Sequence, residues 1–148
     1  PGLVAVLAIV IYMAVVLSLF KAIPVTLTAA GIAGFVLSIG MAVDANVLIF
    51  ERTGEELRRG RALPDAIREG FERAWTSIRD SNVSSLITAA ILYWLGTSVV
   101  KGFATTLGLG VLISMFSAIS VSRTFLMAIA TPRLARYRAL FLSGFSRH

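Results

Sequence analysis

There is no cysteine in the 148 residues, and the one histidine is the terminal His148. Neither a disulfide, a Cys-ligated metal site nor a His cluster can be built from this chain. Charge is scarce as well. Asp, Glu, Lys and Arg make up 15% of the residues, where an ordinary soluble domain carries about 25%. No phosphate-cradling glycine loop, nucleophile triad or metal constellation appears, so no ATPase or hydrolase chemistry is expected. The start lacks the basic segment of a signal peptide. Pro1 opens directly into an apolar run, as expected of a piece of something longer.

What remains is apolar. Hydrophobic residues are 57% of the chain and mean hydropathy is +0.84, which places it among integral membrane proteins. Four apolar runs are expected to cross a bilayer as helices, at about residues 2–20, 25–50, 83–100 and 102–130. A span needs about 20 apolar residues, and unpaired strand backbone is not tolerated in lipid. The expected fold is therefore all-α, with a transmembrane bundle over 1–130, a cytoplasmic loop over 51–80 and a cytoplasmic tail over 131–148. "KAIP" (Lys21 to Pro24) and "TSVVKG" (Thr97 to Gly102) read as the short outer turns.

The charge balance sets orientation. Of the 14 cations, 12 lie in the middle loop or towards the C-terminus, and Lys21 and Lys101 alone lie at the other side. By the positive-inside rule the loop and the C-terminus are cytoplasmic. Topology thus accounts for the net charge of +6, and nucleic acid is not an expected partner. Within the loop, Leu63, Ala66, Ile67, Gly70, Phe71, Ala74, Trp75 and Ile78 recur with helical period. They predict an amphipathic helix, lying on the inner leaflet with Trp75 at headgroup depth or serving as a docking surface. Asp80 and Asn82 read as caps at the start of the third span.

The conspicuous feature is "SIGMAVDANVLIFER", residues 38–52. Asp44 sits inside an apolar span, where a charge costs roughly 2.5–3.5 kcal/mol even on insertion scales. Glu51 marks the inner edge, about 10 Å away along a helix. Burial at that depth favours the neutral acid, and a carboxyl that takes up and releases a proton is the usual chemistry of a membrane relay. A structural hydrogen bond is the alternative. Gly31, Gly34 and Gly40 let another helix approach this span. The fourth span offers a complementary stripe of Thr106, Gly110, Ser114 and Ser117, and the third offers Ser81, Ser85 and Thr88. These hydroxyls serve either a polar pathway or packing. No cation inside the spans is placed to pair Asp44, so its counter-charge is expected from elsewhere.

"GMAVDANVLIFER" (40–52) followed by "EELRRGRALPDAIREGF" (55–71) resembles the fourth span and following loop of the SecD family of protein-export subunits, in the resistance-nodulation-division superfamily. "VKGFATTLGLGVLISMFSAISVSRTF" (100–125) is similar to its sixth span, and "PGLVAVLAIVIYMAVV" (1–16) to its third. Ser84, Ser85 and Ser98 are small departures. The resemblance implies a multi-pass protein of the bacterial cytoplasmic membrane, its helices part of a bundle of that superfamily's type. It implies an energy-coupling role, in which the proton-motive force assists late steps of polypeptide translocation, with protons as coupling ion and no other cofactor. Asp44 would be the proton carrier. The partners implied are a SecF-like subunit supplying polar and basic groups, the protein-export channel, the exported polypeptide and membrane lipids. A proton-driven exporter of small molecules or lipids, and a structural scaffold, are the alternatives.

Overall fold

The computed structural model describes residues 2–129. The tail 131–148, with Arg133, Arg136, Arg138 and Arg147, lies outside them, as does the end of the fourth apolar run at residue 130. The described residues form four helices and no strand: α1 (Gly2–Ala22), α2 (Ala29–Arg58), α3 (Leu63–Leu95) and α4 (Ser98–Ile129). Helix α1 has no acidic residue in its first turn, and Lys21 in its last turn complements the negative end of the helix dipole. Thr28 starts α2 as its N-cap, its Oγ1 accepting from the Gly31 N–H at 3.1 Å.

Helix α2 has 30 residues and α3 has 33. At 1.5 Å per residue these are about 45 and 50 Å long, longer than the roughly 30 Å hydrocarbon core of a bilayer. Their polar ends therefore form a helical hairpin where the sequence suggests a loop over 51–80. Helix α2 runs on to Arg58, and α3 passes through residues 80–83 without a break. Asp80 and Asn82 consequently cap nothing. They lie inside α3, where backbone N–H groups already have partners one turn back. The hairpin turns at Gly60, whose φ of +86° favours glycine. The Arg59 N–H donates to Glu55 O at 3.1 Å and the Gly60 N–H to Leu57 O at 3.0 Å, closing the end of α2. Pro64 and Asp65 occupy the first turn of α3.

The predicted amphipathic face is present, and it meets protein. Leu63, Ala66, Ile67, Gly70, Ala74 and Ile78 are buried. Leu63, Ala66 and Ile67 cluster with Leu57 of α2, and Ala74 and Ile78 with Ala45. A Cβ at Gly70 would fall 2.6 Å from the Thr53 backbone nitrogen, so α2 and α3 cross closely there. Phe71 and Trp75 stack beside this seam with ring centroids 5.8 Å apart.

The α3–α4 turn is shorter than "TSVVKG" suggests. Helix α4 already begins at Ser98, and the Gly96 N–H closes α3 on Leu92 O at 2.9 Å. Helix α2 is central, packed along both α3 and α4, while α1 lies against the α2–α4 pair. Two of the helices, Ala29–Arg58 and Ser98–Ser120, are long and apolar enough to cross a membrane by length and composition. Val10, Ile11, Ile32, Val36, Ile87, Ile91, Leu112 and Phe116 are all exposed. A helical bundle that is apolar on its outside is a membrane protein, since water would not leave so much apolar surface uncovered.

Candidate functional site

Two faces of α2 carry the polar residues of interest. The first faces α4. Gly31, Gly34 and Ser38 are buried there against Thr106 and Gly110. Thr106 Oγ1 donates across the seam to Gly31 O at 2.7 Å. A Cβ at Gly34 would collide with Thr106 Oγ1 and the Phe103 carbonyl, and one at Gly110 with Ser38. The Tyr12 hydroxyl reaches in from α1, 3.0 Å from Ser38 Oγ and 2.9 Å from Gly110 O, while Ser38 Oγ donates to Phe35 O at 2.7 Å. Gly31, Gly34, Gly110 and Thr106 are thus brought together at this seam. Tyr12 went unremarked in the sequence, although a tyrosine in an apolar run asks for a partner for its hydroxyl.

The second face carries Asp44. By 100° per residue it lies about 120° around α2 from Ser38, so α4 does not cover it. The expected match between Asp44 and the stripe on the fourth span is not made, because Gly31, Gly34 and Ser38 occupy that stripe instead. Asp44 opens into a groove of about 230 Å³ between α2 and α3, lined by Met41, Ala45, Leu48, Ser77, Ile78, Ser81 and Asn82. It is exposed in this chain, and it makes no hydrogen bond or ion pair with a described residue. With 15 residues of α2 before it and 14 after, it stands about 22 Å from either helix end. Leu37, Gly40, Val47 and Glu51, on the same side, are exposed too. Gly40 in particular meets nothing within 4 Å of a Cβ position, so the close packing expected there is not made by the described residues.

Of the other hydroxyls singled out from sequence, none but Ser81 lines the groove. Ser85 Oγ donates back to Ser81 O at 3.1 Å and Thr88 Oγ1 to Ser84 O at 3.0 Å, each within its own helix. Ser114 is buried and Ser117 half-buried on α4, away from Asp44's groove. The groove contains instead Asn82, read from sequence as a cap. Its side chain is 3% exposed and has no hydrogen-bond partner among the described residues. It occupies the stripe Gly70, Ala74, Ile78, Ala89, whose other members are small or apolar. The signal was one amide at a core position of a helical period.

At the polar end of the hairpin lies a third polar group, absent from the sequence reading. Glu56 is 1% exposed. Its Oε1 accepts from Arg59 Nη1 at 2.9 Å and Arg73 Nη1 at 2.6 Å. Its Oε2 lies 3.0 Å from Arg61 Nε, an ion pair without an aligned N–H. Arg61 also reaches Glu69 at 3.3 Å, and Glu55 pairs with Arg52 at 3.0 Å. These ties lock the hairpin end. Among the described residues no group of three His, Cys, Asp or Glu is placed to hold a metal ion.

The arrangement has known counterparts. A sequence model of the MMPL family matches residues 2–141. The chain is 59% identical over 152 residues to the protein translocase subunit SecD of Thermobaculum terrenum, covering 100% of this chain and 29% of that protein. It is 52% identical over 148 residues to the protein translocase subunit SecD of Synechocystis sp., covering 99% of this chain and 31% of that one. The fold is similar to the crystal structure of SecDF, a translocon-associated membrane protein, from Thermus thermophilus. The TM-score is 0.81 at 46% identity, over 93% of this chain and 18% of that one. The chain therefore spans under a third of the length of these relatives. The resemblance drawn from residues 40–52, 55–71 and 100–125 is borne out.

Proposed function

The chain belongs to the MMPL family, and from that premise we propose that it is the membrane part of a protein-export subunit that uses the proton-motive force to assist late steps of polypeptide translocation. The observation that carries this reading is Asp44: a carboxyl within the apolar part of α2, unpaired among the described residues and open to a groove. An uncompensated charge at bilayer depth is retained where it has work to do. Protons are the coupling ion, no other cofactor is required, and the role is transport, not catalysis.

The protein is multi-pass in the bacterial cytoplasmic membrane, with the hairpin end at residues 51–80 and the C-terminus in the cytoplasm. A SecF-like subunit covers the exposed side of α2 at Leu37, Gly40, Asp44 and Val47, and it supplies the cation and hydroxyls that Asp44 lacks here. The export channel, the exported polypeptide and membrane lipids are the remaining partners. Protonation and release at Asp44 then favour two different packings of α2 against that partner. Moving one charge through 100 mV makes about 2.3 kcal/mol available, enough to shift a two-state packing equilibrium by roughly fifty-fold.

The test uses the complete complex in vesicles with an imposed proton gradient. The nearly isosteric Asp44→Asn is expected to assemble, to abolish gradient-driven completion of precursor export and to leave the earlier, nucleotide-driven phase intact. Export that completes normally in the variant would reduce Asp44 to a structural residue.

A further inference from the structure

The groove beside Asp44 contains a second polar group that the proposed relay does not account for. Asn82 is 3% exposed, on the α3 stripe that otherwise buries Ala74, Ile78 and Ala89. An apolar residue would fill that position without needing a partner. The carboxamide has two donors and an acceptor, and no described residue uses them. It is not sealed in either, because the one enclosed, unpartnered side-chain oxygen or nitrogen among the described residues belongs to Glu56. Asn82 and Asp44 line the same groove from opposite helices, with Ser77 and Ser81 at its rim. Its volume of about 230 Å³ is room for several waters at roughly 30 Å³ each.

The geometry points to Asn82 as the positioning residue of the carrier: its amide N–H groups donate to the Asp44 carboxylate through water held in the groove between them. This rests on the reading of Asp44 as proton carrier. A donor aimed at the ionised form stabilises that form, so Asn82 sets the pH at which Asp44 takes up its proton. Among the described residues no other titratable side chain lines the groove. On α2 the next charged groups are Glu51 and Arg52, and on α3 they are Arg79 and Asp80, which pair with each other at 3.0 Å. No described residue of α4 lines the groove, and Arg123, towards the C-terminal end of α4, is common to wild type and variants.

The experiment measures carbodiimide modification of Asp44 by mass spectrometry across a pH series, in the intact complex, for wild type, Asn82→Leu and the smaller Asn82→Ala. The reagent takes the protonated acid, so its midpoint reports proton uptake whether or not the complex transports. Loss of the donor favours the neutral acid. The midpoint is expected to move up by about one pH unit in both variants, and the pH profile of proton flux is expected to move with it. An unmoved midpoint in either assembled variant overturns the proposal and leaves Asn82 a packing residue. The two readings fail separately. If Asp44→Asn conducts normally while Asn82→Leu still moves the midpoint, the carrier assignment falls and the Asn82–Asp44 link stands. If Asp44→Asn is dead and the midpoint does not move, Asn82 alone is wrongly assigned.

Discussion

Helix α2 presents two polar faces, and they are built on opposite terms. Towards α4, the polar groups at the level of Gly31 to Ser38 have partners: Thr106 on Gly31 O, Tyr12 between Ser38 and Gly110 O, Ser38 on Phe35 O. Gly34 and Gly110 are needed there, because a side chain would strike the neighbouring backbone or Ser38. Towards α3, at the level of Asp44, a carboxyl and an amide line one groove and neither is bonded to a described residue. The saturated face explains how the helices stay together. The unsaturated one does not help the chain fold, which is why it is the better candidate for what the chain does. The hairpin end shows that paired charge is no marker of function either: Glu56, 1% exposed with three arginines around it, ties α2 to α3 even though its Oε2 has no aligned donor.

The comparison can be broken most forcefully at Gly34. Gly34→Val places methyl groups on the Phe103 carbonyl and Thr106, and overpacking of that kind costs about 3 kcal/mol. Unfolding of the purified complex in denaturant should register the loss, and a variant as stable as wild type would mean that the seam is not close. Glu56→Gln is the next largest. Removing a buried partner strands its cations, but Arg59, Arg61 and Arg73 are 36–60% exposed and can turn to water. The cost should therefore be about 2 kcal/mol, below the 3–5 seen for sealed pairs. The same unfolding assay checks it, and a neutral result would make the cluster ornamental to stability. Thr106→Val sharpens the contrast with the smallest effect, about 0.6–1 kcal/mol for one interhelical hydrogen bond, read as a slight loss of stability with transport per complex unchanged.

Much of this was legible in the sequence, for identifiable reasons. Apolar runs reveal helices because lipid admits little else, and Asp44 stood out because nothing around it is charged. The glycine and hydroxyl stripes on α2 and α4 were visible as period, and they do meet. Their pairing with each other, in place of Asp44, depends on rotation about the helix axis, which spacing constrains only relative to a partner not yet known. The amphipathic face over 63–78 reads the same whether lipid or a second helix covers it, so its packing on α2 was hidden. Asp80 and Asn82 resemble caps because they sit where hydropathy rises. In fact the helix simply passes from its polar half into its apolar half there. Glu56 is invisible in "EELRRGR", since its burial depends on Arg73, 17 positions away.

The central claim is that the α4 face is structural and the α3 groove functional. It is tested most directly by measuring proton flux per assembled complex, in one vesicle preparation, for Asp44→Asn and Thr106→Val side by side. The account predicts that Asp44→Asn assembles and conducts nothing above background, while Thr106→Val conducts as wild type does once corrected for the amount assembled. Normal flux through Asp44→Asn, with flux lost in assembled Thr106→Val, would contradict it and move the proton route to the α2–α4 seam.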